Sequence, residues 1–330
     1  MKIAILTVTD NGKILGESIM GQLTHDSTVI KAEIFHKNVK KNIENCFNEF
    51  NCIIGIMATG IMIRNICSII NKKENDPAIL IIDEKGKHVI SLLSGHLGGA
   101  NKLAVKIAQL IGSDPVITTS TDLNHKFGID CVASKYYFKI EPVSNIKTIN
   151  SSLINNQVVK IDYNHDYEYL WEDKLIQNTY QKGSNKSKKL IVSNDSTFME
   201  LVPKKLVLGL GSRKNIDYQQ IIIAIKHGME YLNLPVDRID TLTTGEMKKN
   251  EHGILKAAKT LQIPLKIISE NKIKEYTNPD MAYSDFVMTN FGVGGVCEPS
   301  SLIEAGKNSE LILRKTSFNG VTVAVSLSKN

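Results

Sequence analysis

The chain has 330 residues, 42% hydrophobic and 22% charged, with a formal net charge of +6. That length exceeds one typical domain and points to two or three. No apolar run reaches the roughly 18 residues of a membrane span, and the opening MKIAILTVTDNGKIL meets Asp10, Asn11 and Gly12 too early for a signal peptide.

That opening reads instead as a first strand. Residues 1–133 alternate short β-branched runs with helical stretches. The runs are KIAILTV, TVIKAEIF, NCIIGIM, AILIID, KHVISLL and DPVITTS; helices are predicted near 15–24, 39–49, 60–71 and 99–111, with DEKGK at 83–87 as a hairpin turn. Such alternation predicts an α/β domain whose parallel or mixed sheet is flanked by helices. Near-continuous apolar runs suit strands buried on both faces.

From 134 to 203 the chain turns polar and aromatic-dotted, and reads as a smaller β-containing middle module or linker. Tyr163, Tyr167, Tyr169 and Trp171 alternate there at strand period, as half-buried strand packing requires; a ligand-stacking face is the other reading. Residues 204–330 resume the α/β pattern. KLVLGLG, PLKII and DFVMTNF are predicted strands, and IDYQQIIIAIKHGMEYL and HGILKAAKTL predicted helices. EPSSLIEAG opens a helix on Glu-Pro, and SELILRK with GVTVAVSL closes the chain as a hairpin. The expected organisation is two α/β domains, 1–133 and 204–330, joined by the module 134–203.

Charge and cysteine usage narrow the function. Lysine is spread along the chain with no basic block interleaved with aromatics, so nucleic-acid binding has no support. A mild positive field suits an anionic small molecule equally well, and a solvated lysine surface explains much of it. Cys46, Cys52, Cys67, Cys131 and Cys297 form no CxxC pair and no even framework, which predicts a reduced, cytoplasmic protein without structural zinc. The arginines are Arg64, Arg213, Arg238 and Arg314 alone. Where lysine is the default cation, a retained arginine points to a need for its planar, bidentate fork.

Several predicted strands end in a small-residue turn that opens a helix. GIMATGIMIRNI carries Thr59, Gly60 and Arg64. ISLLSGHLGGAN carries Ser94, Gly95, His96, Gly98, Gly99 and Asn101. PVITTSTDLN carries Thr118, Thr119 and Asp122; LVLGLGSRKN carries Gly209, Gly211, Ser212 and Arg213; TNFGVGGVCEPSS carries Gly292, Gly294, Gly295 and Glu298. Ligands of open α/β sheets sit beyond the carboxyl ends of strands, and helix N-termini there favour anions. Five such loops imply a large ligand with several carboxylates or phosphates. GLGSRKN lacks the third glycine of GxGxxG and no P-loop is present, so nucleotide binding is weakly signalled. Plain structural readings stand beside these. Arg64 can share a solvated face with Ser68, Asp122 can be an N-cap, and Glu298 can complement a helix dipole. His96, between glycines at a strand end where packing demands little, reads as functional.

The same stretches carry a resemblance. MATGIMIRNI, DPAILIIDEKGKHVISLLSGHLGGANKLA and PVITTSTD resemble the N-terminal region of the cobalt-precorrin-5A hydrolase family, from the anaerobic, early-cobalt branch of cobalamin biosynthesis. LGLGSRKN, the pattern of Lys248, Glu251, Gly253, Ile254 and Leu255, GVGGVCEPSSL and GVTVAVS resemble that family's C-terminal domain. The likeness spans 50–124 and 204–326 and is weak between them. Ser212 stands where the family usually has cysteine, which argues against an essential thiol there.

The resemblance implies an enzyme acting on a cobalt-bearing, partly methylated tetrapyrrole. The ring-A acetate of that substrate is closed as a δ-lactone onto the methylated C20 carbon. Water opens the lactone and C20 leaves with its methyl as acetaldehyde, giving cobalt-precorrin-5B. Cobalt arrives with the substrate, so no protein cofactor and no metal-ligand set are expected. On this implication His96 is the candidate general acid or base, since its unperturbed pKa lies near working pH. Asp122 would orient it or accept a second proton, and Glu298 is a further acid or base. The N–H groups of Gly98 and Gly99 would stabilise an oxyanion. Thr59, Gly60, Arg64, Ser94, Gly95, Asn101, Thr118, Thr119, Gly211, Arg213, Lys248, Gly294 and Gly295 would line the substrate site, with Arg64, Arg213 and Lys248 taking carboxylates. Expected partners are the tetrapyrrole, neighbouring pathway enzymes and a second copy in a homodimer, with no nucleic acid and no membrane. The alternatives are a non-catalytic corrinoid carrier, which would dispense with His96 and Asp122, and a nucleotide-binding α/β enzyme or methyltransferase.

Overall fold

The computed structural model describes residues 1–71, 75–283, 285, 288, 289 and 292–329. By contact they divide into two units, Met1–Asp26 with Lys31–Pro203, and Ser27–Ile30 with Lys204–Asn330.

The first unit holds a six-stranded sheet of β1 (Lys2–Thr7), β2 (Lys31–His36), β3 (Cys52–Ile56), β4 (Ala78–Ile82), β5 (His88–Leu93) and β6 (Asp114–Val116). The order is β2-β1-β3-β4-β5-β6. Every residue of β3 and β4 is buried, as continuous apolar runs require of strands covered on both faces. β1 to β4 run parallel, β5 turns antiparallel to β4, and β6 is parallel to β5. The reversal at 83–87 is the hairpin that the sequence predicts, with Gly86 at φ +66°. It divides the loops: the carboxyl ends of β3 and β4 lie at one edge of the sheet, and those of β5 and β6 at the other. Ile56 pairs with Ile82 and Ile82 with Val89, whereas Leu93 pairs with Ile79 at the far end.

The helices of this layer are α1 (Asp10–Leu23), α2 (Val39–Cys46), α3 (Thr59–Ile66), α4 (Ala100–Ile111), α5 (Ser120–Leu123) and α6 (Ile129–Tyr136). α1 starts earlier than periodicity predicts because the Thr9 hydroxyl accepts the Gly12 N–H at 3.0 Å and caps the first turn. α4 runs from Gly99 at φ +82° to Gly112 at φ +67°, whose N–H bonds to the Ala108 carbonyl.

A second sheet of the same unit contains β7 (Phe138–Glu141), β8 (Lys160–Asp162), β9 (Gln181–Lys182), β10 (Leu190–Ser193) and β11 (Phe198–Pro203), in the order β7-β11-β10-β8-β9. α7 (Ile146–Ile154) and α8 (Lys174–Thr179) accompany it. The aromatic alternation read as a strand is instead a 3-10 helix, His165–Glu172. Asn164 caps it by accepting the Asp166 N–H at 3.0 Å, and this local turn chemistry overrides the period-2 pattern. Two of the rings pack internally, Tyr169 on Tyr136 and Tyr167 on Phe138, with centroids 5.7 and 6.2 Å apart.

The second unit is a five-stranded mixed sheet of β12 (Leu206–Ser212), β13 (Thr241–Gly245), β14 (Leu265–Ile268), β15 (Glu310–Phe318) and β16 (Val321–Leu327), in the order β14-β13-β12-β16-β15. β12, β13 and β14 are parallel, and β15–β16 is the expected hairpin, antiparallel to β12. α9 (Tyr218–Tyr231), α10 (His252–Leu261), α11 (Glu270–Glu275) and α12 (Cys297–Ala305) accompany it. Ser27–Ile30 belongs here: the Ser27 carbonyl accepts the Arg314 N–H at 3.0 Å, and Ile30 packs on Cys297, Leu302, Leu311 and Ala324. The predicted strand DFVMTNF is not borne out where it is described: Asp285, Met288 and Thr289 are helical, and residues 286, 287, 290 and 291 lie outside the described residues. The whole is a mixed α/β fold, three sheets flanked by helices. Among the described residues no helix is long and apolar enough to cross a membrane.

Candidate active site

The apolar run of β5 stops because Ser94 takes φ +57° and turns the chain. Its hydroxyl donates to the Asp76 carbonyl at 3.0 Å. The turn closes on itself: Gly99 N–H donates to His96 O at 3.0 Å, Ala100 N–H to Ser94 O at 3.2 Å and Asn101 N–H to Gly95 O at 2.9 Å. A Cβ on Gly98 would lie 2.5 Å from Ser94 Cβ and 2.9 Å from its carbonyl oxygen, so the loop closes only around glycine. Gly98→Ala is expected to lower stability by about 1–3 kcal/mol, measured as a shift in the urea midpoint; an unchanged midpoint would show that the loop yields freely.

The turn delivers His96 into a pocket of acids. Nε2 stands 2.6 Å from Asp122 Oδ2, and Nδ1 stands 3.0 Å from Asp130 Oδ2. β5 and β6 are parallel and end at the same edge, which is why the loops after them, bearing His96 and Asp122, meet. Asp122 Oδ2 also accepts from Asn101 Nδ2 at 3.1 Å and from the Thr119 hydroxyl. Its Oδ1 has no hydrogen-bond partner among the described residues, and the side chain is 35% exposed. Asp130, on α6, is fully buried, and its Oδ1 accepts from Asn150 Nδ2 of α7 at 2.9 Å. Burial disfavours a charged imidazole, but hydrogen bonding to Asp130 and Cys131 and the charge of Asp130 outweigh it and raise the His96 pKa to about 11. Burial pushes the neighbouring Cys131 thiol up.

Donor atoms of His96, Asp130 and Cys131 lie within 4.8 Å of one another. Imidazole, carboxylate and thiol together form a set able to hold a transition metal, which the sequence reading did not foresee.

The remaining expected site residues separate. Asn101 is 6% exposed and fully engaged, with Nδ2 donating to Thr119 Oγ1 at 2.7 Å as well as to Asp122, and Oδ1 accepting from Ser91 Oγ at 2.6 Å. It brackets Asp122 rather than facing a ligand. The Gly99 N–H is taken by His96 O, so of the expected oxyanion pair Gly98 alone keeps an N–H without an acceptor among the described residues. Thr118 is exposed just ahead of Thr119. Thr59, Gly60 and the exposed Arg64 follow β3 and so lie at the opposite sheet edge, a strand's length or roughly 15 Å from the His96 turn.

In the second unit Gly211 is not in a loop: it is buried in β12 opposite Thr322. Arg213 is exposed just past that strand. Lys248 is 7% exposed and pairs with Glu251 at 3.2 Å, so its charge is already met. Glu298 is 2% exposed, and its two oxygens accept the N–H groups of Lys315 at 2.7 Å and Ala282 at 2.6 Å. Burial raises its pKa against those donors, and the carboxyl serves as a bracket between α12 and β15 rather than a free acid. Gly294, against the Tyr283 ring, and Gly295 precede α12. The buried arginine fork belongs to Arg238, which spans Asp240 Oδ2 at 2.8 Å and the Lys204 carbonyl at 2.5 Å.

Asp130, Cys131 and Asn150 escaped the sequence reading. The signal available was FGIDCVAS, a carboxylate in the first turn of an otherwise apolar helix. A buried face holds such a group only with a partner.

The family model described as Cobalamin synthesis G N-terminal matches residues 41–122, and Cobalamin synthesis G C-terminus matches 206–326. A relative from Methanocaldococcus jannaschii, named "Probable cobalt-precorrin-5A hydrolase", is 34% identical over 99% of both chains. This chain belongs to the cobalt-precorrin-5A hydrolase family. The cobalt-precorrin-5A hydrolase of Salmonella typhimurium is 27% identical over 99% of this chain and 97% of its own. That of Priestia megaterium is 26% identical over 89% and 83%. A solved structure of a cobalamin biosynthesis protein G homolog from Sulfolobus solfataricus shares the fold, with a TM-score of 0.60 and 24% identity over 99% of this chain and 97% of that one. His96 and Asp122 lie within the N-terminal family match, whereas Asp130, Cys131 and Asn150 lie between the two matches.

Proposed function

We propose that the chain is a cobalt-precorrin-5A hydrolase, opening the δ-lactone with water and releasing C20 with its methyl as acetaldehyde to give cobalt-precorrin-5B. The relatives' names support the substrate. The observation that carries the chemistry is Asp122: one oxygen is held by His96, Asn101 and Thr119, and the other is open on a part-exposed side chain. A carboxylate so fixed is oriented and presents its second oxygen outward.

In this reading Asp122 Oδ1 takes a proton from the water that adds to the lactone carbonyl carbon. The acyl C–O bond then breaks, and the proton returns to the alkoxide oxygen on C20. The bond joining C20 to the macrocycle then breaks: the hydroxyl gives its proton to the same carboxylate, C20 becomes the carbonyl carbon of acetaldehyde, and the bonding pair stays with the conjugated macrocycle. The unengaged Gly98 N–H is the candidate donor to the lactone oxyanion. Cobalt is cargo of the substrate, and no protein cofactor is proposed. Five unpaired cysteines support a reducing, cytoplasmic setting.

The test is to mix purified protein with cobalt-precorrin-5A and trap acetaldehyde. Wild type releases it, and His96→Ala binds substrate but releases it some 10²–10⁴-fold more slowly. A wild type that binds substrate and releases none would be a carrier; near wild-type release by His96→Ala would remove His96 from the mechanism.

A further inference from the structure

We propose that Asn101 is a positioning residue for the reaction. It acts through Asp122, holding that carboxylate so that its second oxygen faces outward, and position 95 is glycine so that the Asn101 amide can lie there. The proposal rests on the hydrolase reading for its catalytic part and on the geometry of the turn for the placement.

The amide commits its polar atoms to one chain of contacts. The Ser91 hydroxyl, on β5, donates to Asn101 Oδ1 at 2.6 Å. Nδ2 donates to Thr119 Oγ1 at 2.7 Å and to Asp122 Oδ2 at 3.1 Å, so each of its two hydrogens has an acceptor. The reverse orientation would set the amide oxygen against the Asp122 carboxylate. A threonine hydroxyl alone is a free rotor. Here the Thr119 oxygen already accepts from Asn101, and its hydrogen is left to point at Asp122 Oδ2. Thr119 stands at the N-cap position of α5 yet makes no capping bond, so its hydroxyl serves Asp122 and not the helix.

The two ends of this chain differ in rigidity. Asp122 sits on α5, a single turn of 4 residues, with a part-exposed side chain. Asn101 is buried at the second position of the 12-residue α4, its own N–H bound to Gly95 O at 2.9 Å. The amide therefore ties a carboxylate on a short turn to a long helix. Asparagine is a poor helix former and buries a polar group here, so neither propensity nor packing accounts for it. Sterics point the same way. A Cβ on Gly95 would lie 2.8 Å from Asn101 Oδ1 and 3.1 Å from its Nδ2. Gly95 has no positive φ, so its backbone does not call for glycine; the empty volume is the seat of the amide.

The test is a mutant cycle on acetaldehyde release. Asn101→Ala is expected to lower kcat about 10–10²-fold, the scale of loss when a reacting group is misplaced by an ångström, with KM within about twofold of wild type. In an Asp122→Asn background the same change costs less than about twofold, since the group that Asn101 positions is already gone. Gly95→Ala is the second variant and keeps the proposal falsifiable if Asn101→Ala does not fold. Its new methyl meets the tip of a side chain that can swing away, so the protein folds, the amide leaves Asp122 and kcat falls at least about fivefold. A rise in KM with kcat held would make Asn101 a substrate contact. Additive losses in the cycle would make it a support of the fold alone. Either result overturns the proposal, as does wild-type kcat in folded Gly95→Ala. A measurement without substrate separates this from the hydrolase reading. By NMR of the whole protein, the Asn101 side-chain amide exchanges with water at least about tenfold more slowly than in an unfolded chain. Gly95→Ala removes that protection, and Asp122→Ala shifts the amide proton resonances. An unprotected amide in wild type overturns the placement. If wild type binds cobalt-precorrin-5A and releases no acetaldehyde, the hydrolase reading fails, and the amide signal still decides whether Asn101 holds Asp122.

Discussion

Asp122→Asn is expected to lower acetaldehyde release at least about 10³-fold while leaving the folded protein nearly as stable as wild type. The substitution preserves shape, so the Asn101 and Thr119 contacts keep an oxygen to meet. It removes the charge at the open oxygen, and an amide cannot take a proton from water. The stability cost is small because the side chain is 35% exposed and solvent already screens it. Rapid-quench measurement of acetaldehyde checks the rate, and circular dichroism melting checks the fold. A variant within tenfold of wild type would show that another group is the base. Asp122→Ala with added formate gives a second view, since a small carboxylate entering the vacated space should restore part of the rate.

The charge on His96 also links stability to pH, and the sign is fixed. Its pKa rises from 6.5 to about 11 on folding. The folded state therefore holds a proton that the unfolded state releases. This contribution is fully present below about pH 6.5 and is lost as pH climbs through the folded value near 11. The urea midpoint of wild type should decline between pH 7 and pH 10, and that of His96→Gln should decline less. Equal slopes would deny the imidazolium.

Much of the fold was readable because its signals are local. β3 and β4 are buried on both faces and announce themselves as unbroken apolar runs, and DEKGK is a turn by its own chemistry. The His96 turn was legible for the same reason: six small or polar residues after an apolar strand have few structural explanations. What sequence could not give is which strand end each loop occupies. Reading five anion-friendly loops as one family of ligand contacts ignored the reversal of β5, which carries Arg64 to the far edge and leaves His96 with Asp122. Glu298 and Lys248 looked like free chemistry because their partners, two main-chain N–H groups and Glu251, become neighbours only on folding. Asp130 was missed for the converse reason. A lone carboxylate among Ile129, Cys131 and Val132 looks like an incident on a helix until the ring it faces arrives from 34 residues away.

The GLG of LVLGLGSRKN shows how a steric demand can pass for a ligand motif, and it yields the largest expected loss of stability. Gly209 lies mid-strand in β12, where a side chain would run into the main-chain carbonyl of Cys297 at the start of α12. That carbonyl cannot swing aside freely. It accepts the Ser300 hydroxyl at 3.1 Å, and Ser300 is tied to Thr243 of β13 at 3.2 Å. The obstacle is backbone anchored at both ends, not the tip of a flexible chain. Gly209→Ala is therefore expected to cost about 4 kcal/mol or more or to prevent accumulation of folded protein. Gly21→Ala is the matched control. Gly21 is an exposed residue within α1, no atom lies within 4 Å of its missing Cβ, and alanine there should stabilise by about 0.5–1 kcal/mol. Urea denaturation of the two variants side by side separates the effects of loop chemistry and packing. If Gly209→Ala unfolded at the wild-type midpoint, the close approach of α12 to β12 would be wrong, and the glycine would again need a ligand to explain it.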